Sequence, residues 1–170
     1  MLSGLVSLAL CFSLGGIGIK GYNPVSQYIS ESYATGMPNA IVWQSFFIIS
    51  GVFLFFFGIL TARCFPKRSG IRVWFFIFAV FYGIGTLLTG IFPCDIGCVM
   101  DPEKPSLSQF IHNTAGALTY LVVPFCVLGL SFSLRNLKPY KRLSIVSLVC
   151  GVISLLFIIL LFGNPEGKIK

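Results

Sequence analysis

The chain has 170 residues, 56% of them hydrophobic and only 10% charged, with a mean hydropathy of +0.92. A water-soluble domain needs about 25% charged residues to cover its surface, so that class is excluded and the exterior must face lipid. The formal net charge is +7, from twelve Lys and Arg against five Asp and Glu, and the eighteen Phe suit hydrocarbon surroundings.

A helix needs roughly 20 apolar residues to span a hydrocarbon core. Five runs qualify in chain order: 2–19, 41–62, 73–92, 110–134 and 143–163. None alternates apolar and polar residues as a membrane β-strand would. The sequence therefore predicts an all-α, polytopic transmembrane bundle of five helices in one domain, 1–170. The first run also has features of a signal peptide, with Leu8-Ala9-Leu10-Cys11 resembling a lipoprotein cleavage box. No Lys or Arg precedes Lys20, however, and Leu10 is bulky, so the run is read as a retained helix.

Charge on the links sets the predicted orientation. Residues 63–72 hold four basic and no acidic residues, and Arg135, Lys138, Lys141 and Arg142 mark the link between the fourth and fifth runs. The other two links carry the acids: Glu31 in one, and Asp95, Asp101 and Glu103 in the other. The positive-inside rule makes the basic links cytoplasmic, with the N-terminus inside and the tail 164–170 outside, although Lys168 and Lys170 oppose the last point. The basic clusters are short and flank apolar runs, so they are read as topology signals that also meet anionic headgroups, not as nucleic-acid sites.

Small and polar residues recur at helical spacing in each run. Ser3, Ser7, Cys11 and Gly15 form one stripe, and Gln44, Gly51 and Gly58 a second. Tyr82, Thr86, Thr89 and Gly90 form a third, Ser108, His112, Gly116 and Tyr120 a fourth, and Ser144, Ser147, Gly151 and Ser154 a fifth. These faces are expected to turn inward, because helices in lipid associate through small residues and hydrogen bonds. Pro124 is expected to kink the fourth helix.

The two acid-containing links hold the candidate chemistry. Cys94 and Cys98, four apart on the oxidising side, fit a disulfide, two free thiols, or zinc with Asp95 or His112, and the spacing leaves these open. His112 is the only histidine and lies about one turn into the fourth helix. A polar group there needs a partner, and Asp95 is the expected one. The pair reads either as a structural clasp between helices or as an acid–base dyad, with Asn23 or Glu31 as a third member. Ser26 and Ser30 are candidate nucleophiles, but no elbow motif supports that role. Asn23, Ser26, Ser30, Glu31, Asp95 and His112 are thus the candidate binding residues, and His112 and Asp95 the catalytic ones. One histidine does not supply two axial haem ligands, and no phosphate loop or metal motif occurs, so no cofactor or metal is predicted. No helix centre carries Asp, Glu, Lys or Arg, which places transport last.

The order of motifs also resembles a known family. It runs Asn23-Pro24-Val25-Ser26-Gln27-Tyr28-Ile29-Ser30-Glu31, Ala34-Thr35-Gly36, Gly83-Ile84-Gly85, Gly90-Ile91-Phe92-Pro93-Cys94-Asp95 and His112-Asn113. Over nearly the whole chain it is similar to the bacterial and archaeal membrane family called domain of unknown function 998. More distantly, Tyr28-Ile29-Ser30-Glu31 followed by Gly36 resembles the start of the damage-regulated autophagy modulator-like proteins. The resemblance implies a multi-pass protein of the prokaryotic inner membrane, with six helices where this chain supplies five, and no assigned activity. The expected function is binding of a lipid or a membrane protein, including a second copy of the chain, through the outer polar cluster. The alternative is a membrane enzyme acting on a lipid or isoprenoid substrate, with His112 as the acid–base group.

Overall fold

The computed structural model describes residues 22–23, 27–66, 69–99 and 106–163. The first apolar run, Ser26 and the tail 164–170 lie outside the described residues. Four helices are long and apolar enough to cross a membrane, and no strand occurs among the described residues. The five-helix expectation is therefore realised for four runs, and the chain is a multi-pass membrane protein.

Helix α1 spans Ala40–Cys64. Helix α2 is continuous through an α-helical stretch Ser69–Phe78, a π-helical stretch Ala79–Ile84 and a second α-helical stretch Gly85–Ile91. Helix α3 spans Leu107–Leu134 and α4 spans Lys141–Gly163. Short 3-10 turns occupy Ile29–Tyr33, Ile96–Cys98 and Lys138–Tyr140. Helix α2 begins earlier than the apolar run because Arg72 is exposed, where a long side chain keeps its charge in water. Helix α3 begins earlier because Ser106 caps it: its Oγ accepts the Gln109 N–H at 2.9 Å.

The helices pack in chain order, α1 on α2, α2 on α3 and α3 on α4. The α1–α2 seam is built on glycine. Gly51 and Gly58 on α1 meet Leu87 and Ala79 of α2, and Gly83 and Gly90 on α2 meet Phe55 and Gln44 of α1; on each helix the two glycines are seven residues, or about two turns, apart. A methyl group on Gly83 would stand 2.6 Å from the Phe55 backbone, and one on Gly58 would stand 2.7 Å from Ala79 Cβ. Lipid offers helices no hydrophobic reason to associate, so this close approach supplies the dispersion contacts that hold the seam. Between α3 and α4 the contact is a reciprocal hydrogen bond. Ser131 Oγ donates to the Ser144 carbonyl at 2.7 Å, and Ser144 Oγ donates to the Ser131 carbonyl at 2.9 Å. The outward faces stay apolar, as Phe76, Phe125, Phe132 and Phe157 show.

The links sort by end. Phe65 packs on Tyr140 with ring centroids 4.9 Å apart, so the two basic links share one end of the bundle. Arg135 lies over the Phe132 ring there, 5.8 Å from its centroid. At the opposite end the Thr35 N–H donates to the Cys94 carbonyl at 2.9 Å, which ties the two acid-containing links together.

Candidate functional site

The second acid-containing link is fixed on the first turns of α3. The Pro93 carbonyl accepts from Ser108 Oγ at 2.7 Å. The Asp95 N–H donates to Gln109 Oε1 at 2.6 Å, and Asp95 Oδ1 accepts from Ser106 Oγ at 2.8 Å. Gln109 is fully buried, and its Nε2 donates onward to Asn113 Oδ1 at 2.9 Å. A buried amide is stable only with its hydrogen bonds made, and here both ends are satisfied. Cys94 and Cys98 form a disulfide, closed by left-handed backbone at Gly97 (φ 72°) and Cys98 (φ 53°). Ser30 meets both sulfurs: Cys94 Sγ lies 3.4 Å from its carbonyl and Cys98 Sγ lies 3.4 Å from its Oγ.

The first acid-containing link is held by its own side chains. Glu31 accepts the Tyr28 N–H on Oε1 at 3.0 Å and the Gln27 Nε2 on Oε2 at 2.7 Å. Gln27 Oε1 in turn accepts the Asn23 N–H at 2.6 Å. Partial burial, and secondarily the Glu31 carboxylate, raise the Tyr22 phenol above its ordinary value. The protonated phenol donates to the Tyr28 carbonyl at 3.4 Å. Gln44 on α1 donates to the Tyr33 carbonyl at 3.0 Å, and the Tyr33 ring packs on Phe47 with centroids 4.5 Å apart.

Beneath these links a cavity of about 450 Å³ opens between the helices. The first link contributes Tyr28, Ile29, Ser30 and Tyr33, the second Cys98, and α1 Phe47. Tyr82, Thr86 and Thr89 line it from α2. The α3 wall carries His112, Asn113, Gly116, Thr119 and Tyr120. The π-helical stretch of α2 includes Tyr82. Its Phe81 carbonyl accepts from Thr119 Oγ1 across the helix pair at 2.7 Å. Single π turns inside α-helices are frequent at functional sites, because the extra residue shifts the side chains that follow. On the facing helix, Pro124 has no N–H to donate to the carbonyl of Tyr120, another cavity residue.

The structure separates the six candidate binding residues. Ser30 and His112 reach the cavity. Glu31 and Asn23 are engaged in the local network of the first link, and Asp95 in the cap of α3. Ser26 lies outside the described residues. The expected Asp95–His112 pair does not form, because the Phe92 carbonyl takes His112 Nδ1 at 2.9 Å while Ser106 takes the Asp95 carboxylate. A carbonyl only accepts, so Nδ1 carries a proton, and in the neutral ring Nε2 then holds the lone pair. Among the described residues, no three His, Cys, Asp or Glu gather in metal-binding geometry.

The residues passed over as site groups are instructive. Tyr82, Thr86 and Thr89, and likewise Gly116 and Tyr120, belong to the stripes expected to pack helix on helix. They instead face an opening between helices. The signal was their chemistry: phenols and hydroxyls at helical spacing on two adjacent runs, where the α1–α2 seam has glycine. Gln109 was missed because a lone Gln near a helix start carries no motif.

The family model described as protein of unknown function, DUF998, matches residues 2–168. No curated protein and no solved structure matches the chain.

Proposed function

This chain belongs to the DUF998 family, and on that premise we propose that it is an integral membrane protein that binds a lipid in the cavity beneath its acid-containing links. One observation carries the reading: a cavity of about 450 Å³, walled by aromatic and hydroxyl side chains, at one end of an otherwise lipid-facing bundle. Small-molecule sites are concave, mostly apolar and equipped with a few placed polar groups, which is this composition. The charge on the links supports placing that end on the outer face of the membrane, within reach of an outer-leaflet lipid. Native mass spectrometry of the protein released from membranes tests the proposal. Wild type should retain bound lipid. Gly116→Leu, at a position where no heavy atom lies within 4 Å of a built Cβ, should fill the cavity and lose it. Equal retention by both would sink the reading.

A second reading is favoured by the lone pair on His112 Nε2, which suits a general base acting on a lipid or isoprenoid substrate. The absence of the Asp95 contact weakens it, because no carboxylate raises the basicity of the ring. His112→Gln separates the two readings. Lost turnover of an added lipid with unchanged binding supports an enzyme, whereas reduced melting temperature with no turnover in either protein supports a clasp.

A further inference from the structure

We propose that the cavity selects a lipid with an uncharged hydroxyl headgroup, such as a long-chain or isoprenoid alcohol or a diacylglycerol, and discriminates against a phosphate. This rests on the reading that the cavity holds a lipid at all.

Charge is the first ground. Among the described residues, no Lys, Arg, Asp or Glu lines the cavity. The described cations, Arg63, Arg72, Arg135, Lys138, Lys141 and Arg142, lie in or beside the links at the opposite end. A phosphate taken from water into an uncharged wall loses its hydration with no cation to replace it, and that transfer is strongly unfavourable.

Hydrogen-bond polarity is the second and independent ground. Three cavity groups have their protons engaged by backbone carbonyls. His112 Nδ1–H donates to Phe92 at 2.9 Å, and Thr89 Oγ1–H donates to Thr86 at 2.9 Å. The single Thr119 hydroxyl proton is shared between Phe81 at 2.7 Å and Ala115 at 2.8 Å. What His112 Nε2, Thr89 Oγ1 and Thr119 Oγ1 retain for a ligand are lone pairs. The ionised oxygens of a phosphate bring only further lone pairs to these three groups. An alcohol O–H donates to one of these acceptors, and its oxygen accepts from a rotatable phenol, Tyr82 or Tyr120. A hydroxyl is the smallest neutral group that satisfies both sides of this wall.

Photo-crosslinking tests the selection. The purified full-length protein is placed in phosphatidylcholine nanodiscs. It is exposed to an alkyne- and diazirine-bearing hexadecanol, or to a phosphatidic acid with the same reactive chain. Labelled peptides are then mapped, with the lipid-facing surface of α4 as the internal reference. The alcohol probe should label residues 82–89 and 112–120 above the α4 reference. Excess plain hexadecanol should suppress that labelling, and excess phosphatidic acid should not. Thr89→Val, which removes one acceptor and keeps the side-chain shape, should lower alcohol labelling about fivefold relative to the reference. Cavity labelling by phosphatidic acid equal to or above that by the alcohol would overturn the selection while leaving lipid binding intact. So would undiminished labelling of Thr89→Val. Cavity labelling by neither probe would overturn both.

Discussion

Gly83 on α2 and Gly116 on α3 lie on adjacent helices, yet a methyl group would do opposite things at each. At Gly83 it would drive into the Phe55 backbone, 2.6 Å away; at Gly116 it would meet nothing within 4 Å. The two glycines mark two regions built from similar residues. The α1–α2 seam uses small residues to bring backbones together. The end beneath the acid-containing links uses them to leave room. In a membrane the first arrangement replaces the missing hydrophobic drive, and the second creates a chamber that the bilayer itself does not provide.

The comparison can be broken by substitution, beginning at the seam. Gly83→Leu should cost about 3 kcal/mol or more, because backbone cannot yield as a flexible side chain can, and the protein should aggregate on detergent extraction. Recovery of folded, monodisperse protein would show that the seam is looser than the glycine geometry requires. Gln109→Leu comes next. It removes the acceptor of the Asp95 N–H and should destabilise by about 2–3 kcal/mol, read as a lower melting temperature. The double variant Cys94→Ala, Cys98→Ala should cost about 2 kcal/mol, since the disulfide closes only a short loop and restricts the unfolded chain modestly. Gly116→Ala should be the smallest effect, neutral or stabilising by up to about 1 kcal/mol, because alanine favours helix over glycine and the site has space.

Much of the fold was legible in the sequence because lipid imposes one rule, that spanning segments be long, apolar and helical. The runs that became α1 to α4 obeyed it, and Gly51, Gly58 and Gly90 showed part of the seam through their spacing, while Gly83 fell outside the stripes. The candidate site was legible only in outline. Ser30 and His112 were found, but Asp95 and Glu31 were assigned to the site because they are acids near a histidine. Which partner a carboxylate takes depends on distances that spacing does not encode: Ser106 and the Tyr28 amide were nearer. The π turn at Ala79–Ile84 was invisible for a related reason, since no residue type requires it; its Phe81 carbonyl accepts from Thr119 Oγ1. The helical walls of the cavity escaped notice because a stripe of Tyr, Thr and Gly reads the same whether its neighbour lies against it or stands off from it.

The most direct measurement compares bound lipid in Gly83→Ala and Gly116→Leu by native mass spectrometry, at matched amounts of folded protein. Gly83→Ala perturbs the seam and leaves the chamber open, so its folded fraction should carry lipid as wild type does. Gly116→Leu should melt no lower than wild type and carry none. Lipid retained on Gly116→Leu, or lost from both variants alike, would contradict the division between a seam that holds the bundle and a chamber that holds a ligand.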